Sequence, residues 1–109
     1  MLDGIPYWDY DAPQIPDDVK DASAAAIMAS ALVELSGYVD KGKSKRYLAV
    51  AEKIIRTHAS DGYLAAEGDL YGFLLKHITG NKNTDSEVDV PLTYADYYFL
   101  EALLRWKNL

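Results

Sequence analysis

Three stretches of this chain carry a helical hydrophobic pattern, and they differ in how far round the helix the apolar residues extend. From Ala22 to Ser36, eleven of fifteen residues are apolar, six of them alanine, and Glu34 is the one charge. Alanine is the strongest helix former, and a helix apolar around its circumference is buried on all sides. Asp21 or Ser23 is placed to cap its start and Gly37 to stop it, giving a buried helix over 21–37. From Ser44, read as an N-cap, to about Ala59, the residues Leu48, Ala51, Ile54, Ile55 and His58 share one face. Lys45, Arg46, Glu52, Lys53 and Arg56 cover the rest, so 44–60 is an outer, amphipathic helix ended by Asp61-Gly62. The third stretch, 92–107, holds Tyr94, Tyr97, Tyr98, Phe99, Leu100, Leu103, Leu104 and Trp106, with Asp96 and Glu101 its only acids. It reads as a second buried helix, with Tyr97 and Leu100 in the core.

The segments between are of other kinds. The first twenty residues contain three of the four prolines, Pro6, Pro13 and Pro16, interleaved with Tyr7, Trp8 and Tyr10. Proline fixes the backbone and removes a donor, which excludes helix or central strand and leaves an ordered loop over 1–20. Tyr63 to Ala65 and Gly72 to Leu75 suit either short extended pieces or a helical turn. Residues 81–91, opening with NKNTDSE, form an exposed loop. The whole of 1–109 reads as one all-α unit of buried, exposed and buried helices, the alternation of an α/α toroid with an inner ring and an outer wrap. Three helices cannot enclose two of their own number. The chain is therefore expected either to self-associate, as a homo-oligomer or a swapped assembly, or to be part of a longer barrel, and the second is favoured.

Charge adds a further constraint. The chain has 11 Lys plus Arg against 17 Asp plus Glu, a formal charge of −6, which argues against a partner such as nucleic acid. The distribution is uneven: residues 1–40 hold eight acids and one base, Lys20, while 41–58 hold six bases and one acid, Glu52. Cysteine is absent, so no disulfide, thiolate metal site or thiol nucleophile is available. No run approaches the roughly 18 apolar residues of a membrane span, and no membrane partner is expected. The opening Met1-Leu2-Asp3-Gly4 runs straight into the aromatic loop, as though entered partway through something larger.

Few residues carry chemistry by pattern alone. Asp9 and Asp11 lie two apart and Asp96 begins a helix; paired carboxylates serve glycoside hydrolysis, yet exposed loop acids and a cap-like Asp96 fit as well. Trp8, with Tyr7 and Tyr10, is either a platform for the apolar face of a sugar ring or an anchor pinning the loop to the core. His77 is a candidate pocket hydrogen-bonding group, whereas His58, on the apolar face of the outer helix, is packing. The two histidines lack metal-ligand spacing, and no metal is expected. Lys76 and Lys82 flank the polar loop and could meet a carboxylate or sulfate. The glycines match no phosphate-cradling loop, and no nucleophile elbow is present.

Gly4 to Pro13 (GIPYWDYDAP), Asp21 to Ile27 (DASAAAI) and Asp89 to Arg105 (DVPLTYADYYFLEALLR), in that order and spacing, resemble C-terminal motifs of unsaturated glucuronyl hydrolases, glycoside hydrolase family 88. The sister family of unsaturated rhamnogalacturonyl hydrolases ends similarly. The resemblance implies the C-terminal quarter to third of an (α/α)6 barrel. It also implies a parent enzyme that removes a Δ4,5-unsaturated uronic acid from lyase-generated oligosaccharides. In that family an aspartic acid protonates the C4=C5 bond, water adds at C5, and the hemiketal collapses to expel the remaining sugar, without metal or organic cofactor. The family's two key aspartates lie upstream of these motifs, so no catalytic residue is assigned here and the segment by itself is expected to be inactive. What it implies instead is pocket wall: substrate-binding roles for Trp8, Asp9, His77, Lys82 and Tyr94, with the aromatic loop toward the active-site mouth and the loop from His77 to Asp89 beside the leaving sugar. His77-Ile78-Thr79-Gly80 stands where many members carry a tyrosine. A free-standing helical carbohydrate-binding or interaction module, without catalysis, is the other reading.

Overall fold

The computed structural model describes residues 3–66, 73–80, 82 and 87–109, and among them the regular structure is three helices. These are α1 (Ala22–Leu35), α2 (Lys41–His58) and α3 (Thr93–Lys107). Asp21 caps α1, its carboxylate accepting from the Ser23 amide at 3.0 Å and the Ser23 hydroxyl at 2.6 Å. α2 starts earlier than the sequence suggests: Asp40, not Ser44, is its N-cap and accepts from the Lys43 amide at 2.9 Å. The Ser44 amide already donates to the Asp40 carbonyl at 2.8 Å, so Ser44 lies inside the helix. α3 has Leu92 at its N-cap position and no side-chain cap. No described helix is long and apolar enough to cross a membrane.

α1 packs broadly against both other helices, which hardly touch each other. Its buried face is the row Ala22, Ala25, Ala26, Ala29, Ser30 and Val33, at the i, i+3, i+4 spacing of one helix side. Small side chains let the neighbouring backbones come close. α3 contributes Ala95, Phe99 and Ala102, and α2 contributes Ala51, Ile54 and His58. The core is completed by residues outside the helices, Ile5, Leu75 and Ile78, each fully buried. A polar cluster spans α1 and α3: the Ser30 hydroxyl donates to Glu101 at 2.5 Å, and Arg105 donates to the Ser30 carbonyl at 3.0 Å.

Among the described residues, α1 and α3 are not buried all round. Ile27 and Leu35 on α1 are exposed, and on α3 Tyr97 is 60% and Leu100 52% accessible, with Leu104 beside them. Tyr97 and Leu100 are therefore surface residues here and Phe99, 4% accessible, is the core aromatic of that helix. The reason is geometric: α1, with residues 73–80, covers one side of α3, and no other described element covers the other.

Candidate functional site

The aromatic loop doubles back on itself. Tyr7 pairs with Lys20 in an antiparallel bridge, the Trp8 amide donates to the Val19 carbonyl at 3.1 Å, and the Asp21 amide donates to the Pro6 carbonyl at 2.9 Å. Its start is anchored on α2, where Gly4 adopts φ +84° and lies so close that an added Cβ would sit 2.9 Å from Ile54 Cγ1. Any side chain there meets both left-handed strain and a buried neighbour. The Thr57 hydroxyl also donates to the Asp3 carbonyl at 2.6 Å.

A second extended segment, 73–80, lies across the same end of the helices. Asp96 holds it from below, one oxygen accepting from the Leu74 amide at 2.8 Å and the other from the Leu75 amide at 3.1 Å. Leu64 and Leu75 pair antiparallel, as do Ile78 and Val90. The Ala22 amide, at the first turn of α1, donates to the His77 carbonyl at 2.9 Å, and Asp21 accepts from the Thr79 amide at 3.2 Å. The left-open choice for Leu74 and Leu75 thus resolves to extended chain; Gly72 lies outside the described residues.

Three non-glycine residues beside this segment have left-handed backbones: His77 at φ 62°, Glu87 at 52° and Asp89 at 52°. Each such conformation costs roughly 1–2 kcal/mol, and strain of this kind gathers where a fold fixes functional side chains. Here it turns the His77 ring onto Asp89, with Nδ1 2.6 Å from the carboxylate oxygen. A carboxylate only accepts, so Nδ1 carries the proton, and Nε2 of this exposed ring has no hydrogen-bond partner among the described residues. The Tyr63 ring meets the His77 ring edge-on at 5.5 Å. Together with Asp18 and Lys20, the three side chains wall an open cleft of about 280 Å³, and a smaller hollow of about 190 Å³ borders His77 and Asp89 against Pro91.

The charges around the cleft are mutually arranged. Lys20 pairs with Asp3 at 2.9 Å, and the Tyr63 hydroxyl donates to the same carboxylate at 3.2 Å. Partial burial pushes Asp3 up, but the bonds from Lys20, the Ile5 amide and Tyr63 win and hold it below the usual carboxylate range. Burial, then the Asp3 charge, pushes the Tyr63 hydroxyl up. For Asp18, desolvation is opposed by the Val19 and Gln14 amides, the Trp8 indole and the Lys82 charge, and its pKa falls. Behind the cleft, His58 is fully buried against Phe99, ring centroids 5.5 Å apart, with its nitrogens 2.9 Å from the Ile54 carbonyl and 2.8 Å from the Ala22 carbonyl. Burial lowers its pKa, and the two carbonyls and Asp3 only partly offset this.

The five predicted substrate-binding residues are not gathered at one place. His77 lies in the cleft wall, and Lys82 is near enough for its charge to act on Asp18. Trp8 is half-buried with its indole N–H bound at 3.0 Å to Asp18, a residue of the cleft wall. Asp9 is exposed and accepts from the Asp11 amide at 2.8 Å within its own turn. Tyr94 points outward from the first turn of α3. Part of the 81–91 loop, residues 81 and 83–86, lies outside the described residues. Asp18, Tyr63 and Asp89 join His77 without any spacing signal, since each comes from a different loop. Among the described residues, no group of three or more His, Asp or Glu is placed to hold a metal.

No family model matches the chain. It is 48% identical over 107 residues to an unsaturated glucuronyl hydrolase of Formosa agariphila, covering 98% of this chain and 26% of that protein. To the unsaturated glucuronyl hydrolase of Bacillus sp. (strain GL1) it is 36% identical over 108 residues, 94% of this chain and 28% of the other. Among solved structures, an unsaturated glucuronyl hydrolase specific for heparin superposes with a TM-score of 0.95 at 46% identity, over 99% of this chain and 29% of that one. The enzyme from Bacillus sp. GL1 responsible for glycosaminoglycan degradation gives 0.83 at 30% identity, over 98% and 29%. The chain spans little more than a quarter of the length of the curated relatives it matches. The resemblance expected from its three motifs therefore extends over nearly the whole chain, and the all-α architecture is that of a segment of their α/α barrel.

Proposed function

We propose that this chain, a segment with the sequence and fold of the unsaturated glucuronyl hydrolases, supplies saccharide-binding wall to a glycoside hydrolase that removes Δ4,5-unsaturated uronic acid from oligosaccharides. The observation that carries this is the His77–Asp89 pair, set by two left-handed backbones at the lip of the cleft, in a chain matched along 98% of its length by such an enzyme. His77 Nε2 is free to hydrogen-bond a sugar hydroxyl while Asp89 holds the ring and its tautomer. Asp18 accepts from a second hydroxyl, and the Tyr63 ring closes the apolar side. Sugar pockets combine these elements, a few fixed polar groups and an aromatic face.

No proton transfer is assigned to this segment. Asp96 commits both oxygens to the Leu74 and Leu75 amides, and Asp9 serves its own turn. In the proposed reaction the acid that protonates the C4=C5 bond, and the water added at C5, are handled elsewhere in the barrel. Absorbance of the conjugated double bond in an unsaturated uronyl disaccharide tests this directly. This chain leaves the absorbance unchanged, while a chain extended to the relatives' length consumes it. Turnover by this chain alone would overturn the assignment of acid chemistry elsewhere. His77→Gly, which relieves the backbone and removes only the imidazole, weakens disaccharide binding to this chain about tenfold or more, read by nuclear magnetic resonance titration; unchanged binding would remove His77 from the site.

The same reading accounts for the uncovered stripe of Tyr97, Leu100 and Leu104, which other helices of a barrel would cover. Taken alone, the chain self-associates through it; sedimentation as a monomer at high concentration would refute this.

A further inference from the structure

Six of the eleven cations of this acidic chain lie on one helix. α2 carries Lys41, Lys43, Lys45, Arg46, Lys53 and Arg56 against the single acid Glu52, in a protein of net charge −6. Glu52 is already taken, its Oε1 2.9 Å from Arg56 Nη2. Lys41, Lys43, Lys45, Arg46 and Lys53 are all exposed and have no ion-pair partner among the described residues. At 100° per residue, Lys41, Lys45, Arg46 and Lys53 fall within a sector of about 140°, opposite the buried Ala51, Ile54 and His58, and span about 18 Å along the axis.

Helix stability does not explain this arrangement. The amino end of a helix is its positive pole and favours acids, yet the first turn of α2 has none beyond the cap and carries Lys41 and Lys43 instead. Most of the cations are thus set at the end where the helix field opposes them. Solubility is already provided by the overall negative charge and does not call for a basic row.

We propose that the outward face of α2 is a docking surface for an acidic polysaccharide chain, a second saccharide contact besides the cleft, whose described wall contains no residue of α2. The choice of a saccharide rests on the function proposed above; the choice of a polyanion rests on charge complementarity alone. Of the polyanions, a nucleic acid would find no exposed aromatic residue on this face to stack its bases, and a protein interface would require an apolar centre that the lysine row lacks. Carboxylates and sulfates spaced along a flexible saccharide need only point charges in a line, which lysine supplies. The surrounding acids keep the contact weak and salt-sensitive.

The probe is heparin with saturated ends, which offers no 4,5-double bond for the cleft to recognise, titrated into the full chain at about 50 mM and about 200 mM salt. Wild-type protein binds at the lower salt and loses most of that binding at the higher. Combining Lys41→Gln, Lys45→Gln, Arg46→Gln and Lys53→Gln, all exposed positions, weakens binding roughly tenfold or more with the helical circular dichroism unchanged. His77→Gly leaves it at the wild-type level. The proposal is overturned by absence of binding at low salt, by an unaffected fourfold variant, or by an equal loss in His77→Gly, which would place the polymer in the cleft. Equally tight binding of single-stranded DNA, or salt-sensitive pairing of the chain with itself that the fourfold variant abolishes, overturns the saccharide assignment. Failure of the unsaturated disaccharide to engage the cleft, with heparin still bound through α2, instead counts against the function proposed above and leaves this surface standing.

Discussion

Where α1 meets its neighbours, Ala25, Ala26 and Ala29 share one apolar cluster with Ile54 and Phe99; where residues 73–80 meet the same helices, the buried Leu75 and Ile78 join that cluster and carboxylates on backbone amides are added to it. Apolar contact is non-directional and tolerates small shifts. A carboxylate that accepts two amide bonds fixes a chain in one place and stops serving once its geometry changes. The helical part is thus held by volume, and the cleft by Leu75 and Ile78 together with a few acids, Asp3, Asp21 and Asp96, that occupy helix starts or the entry loop. This explains how three left-handed residues persist beside the cleft: the bonds around them over-determine their conformation.

The sharpest test of the division is Phe99→Ala. It opens a cavity under His58 and is expected to cost about 3–5 kcal/mol in urea unfolding, with the whole molecule losing structure at once. A loss confined to the cleft would break the comparison. Asp96→Ala is next. It strands the Leu74 and Leu75 amides, costs about 2–3 kcal/mol, and speeds hydrogen exchange at those two amides more than at α1. If α1 exchanges as fast, the two parts are one cooperative unit.

Ala22→Pro strikes a smaller link. Ala22 is the first residue of α1, where proline suits the backbone, and Asp21 before it is already extended. The substitution removes the amide that donates to the His77 carbonyl and crowds a fully buried position, so about 2 kcal/mol is lost and the His77 ring resonances move. Acid provides a finer probe. His58 has a lowered pKa in the fold, so the unfolded chain takes up a proton that the fold refuses, and stability falls as pH drops below about 6.5. Asp3 and Asp18, also lowered, stabilise the fold above the ordinary carboxylate range, and that contribution is lost only as pH falls through their folded values. Urea midpoints at pH 7.5 and 5.5 separate the first window, and His58→Gln should flatten it. The smallest effect is expected at the uncovered stripe, where Tyr97→Ala and Leu100→Ala change stability by no more than about 0.5 kcal/mol at concentrations low enough to keep the chain monomeric.

The three helices were legible because their patterns are local: alanine content, apolar spacing and a capping acid act within a few residues of one another. His58 was legible as packing for the same reason, being on the apolar face with Ile54 and Ile55. The family resemblance was legible in three contiguous motifs. The cleft was not, because Asp18, Tyr63, His77 and Asp89 come from separate loops, and the bonds that bring them together join residues up to 60 positions apart, as from Tyr63 to Asp3. Nor could the sequence tell that Trp8 gives its indole N–H to Asp18, or that Tyr97 and Leu100 face outward while Phe99 faces in. Apolar content says that a helix side needs cover. Which side receives it depends on the neighbours that the tertiary structure supplies, and here they lie on one side.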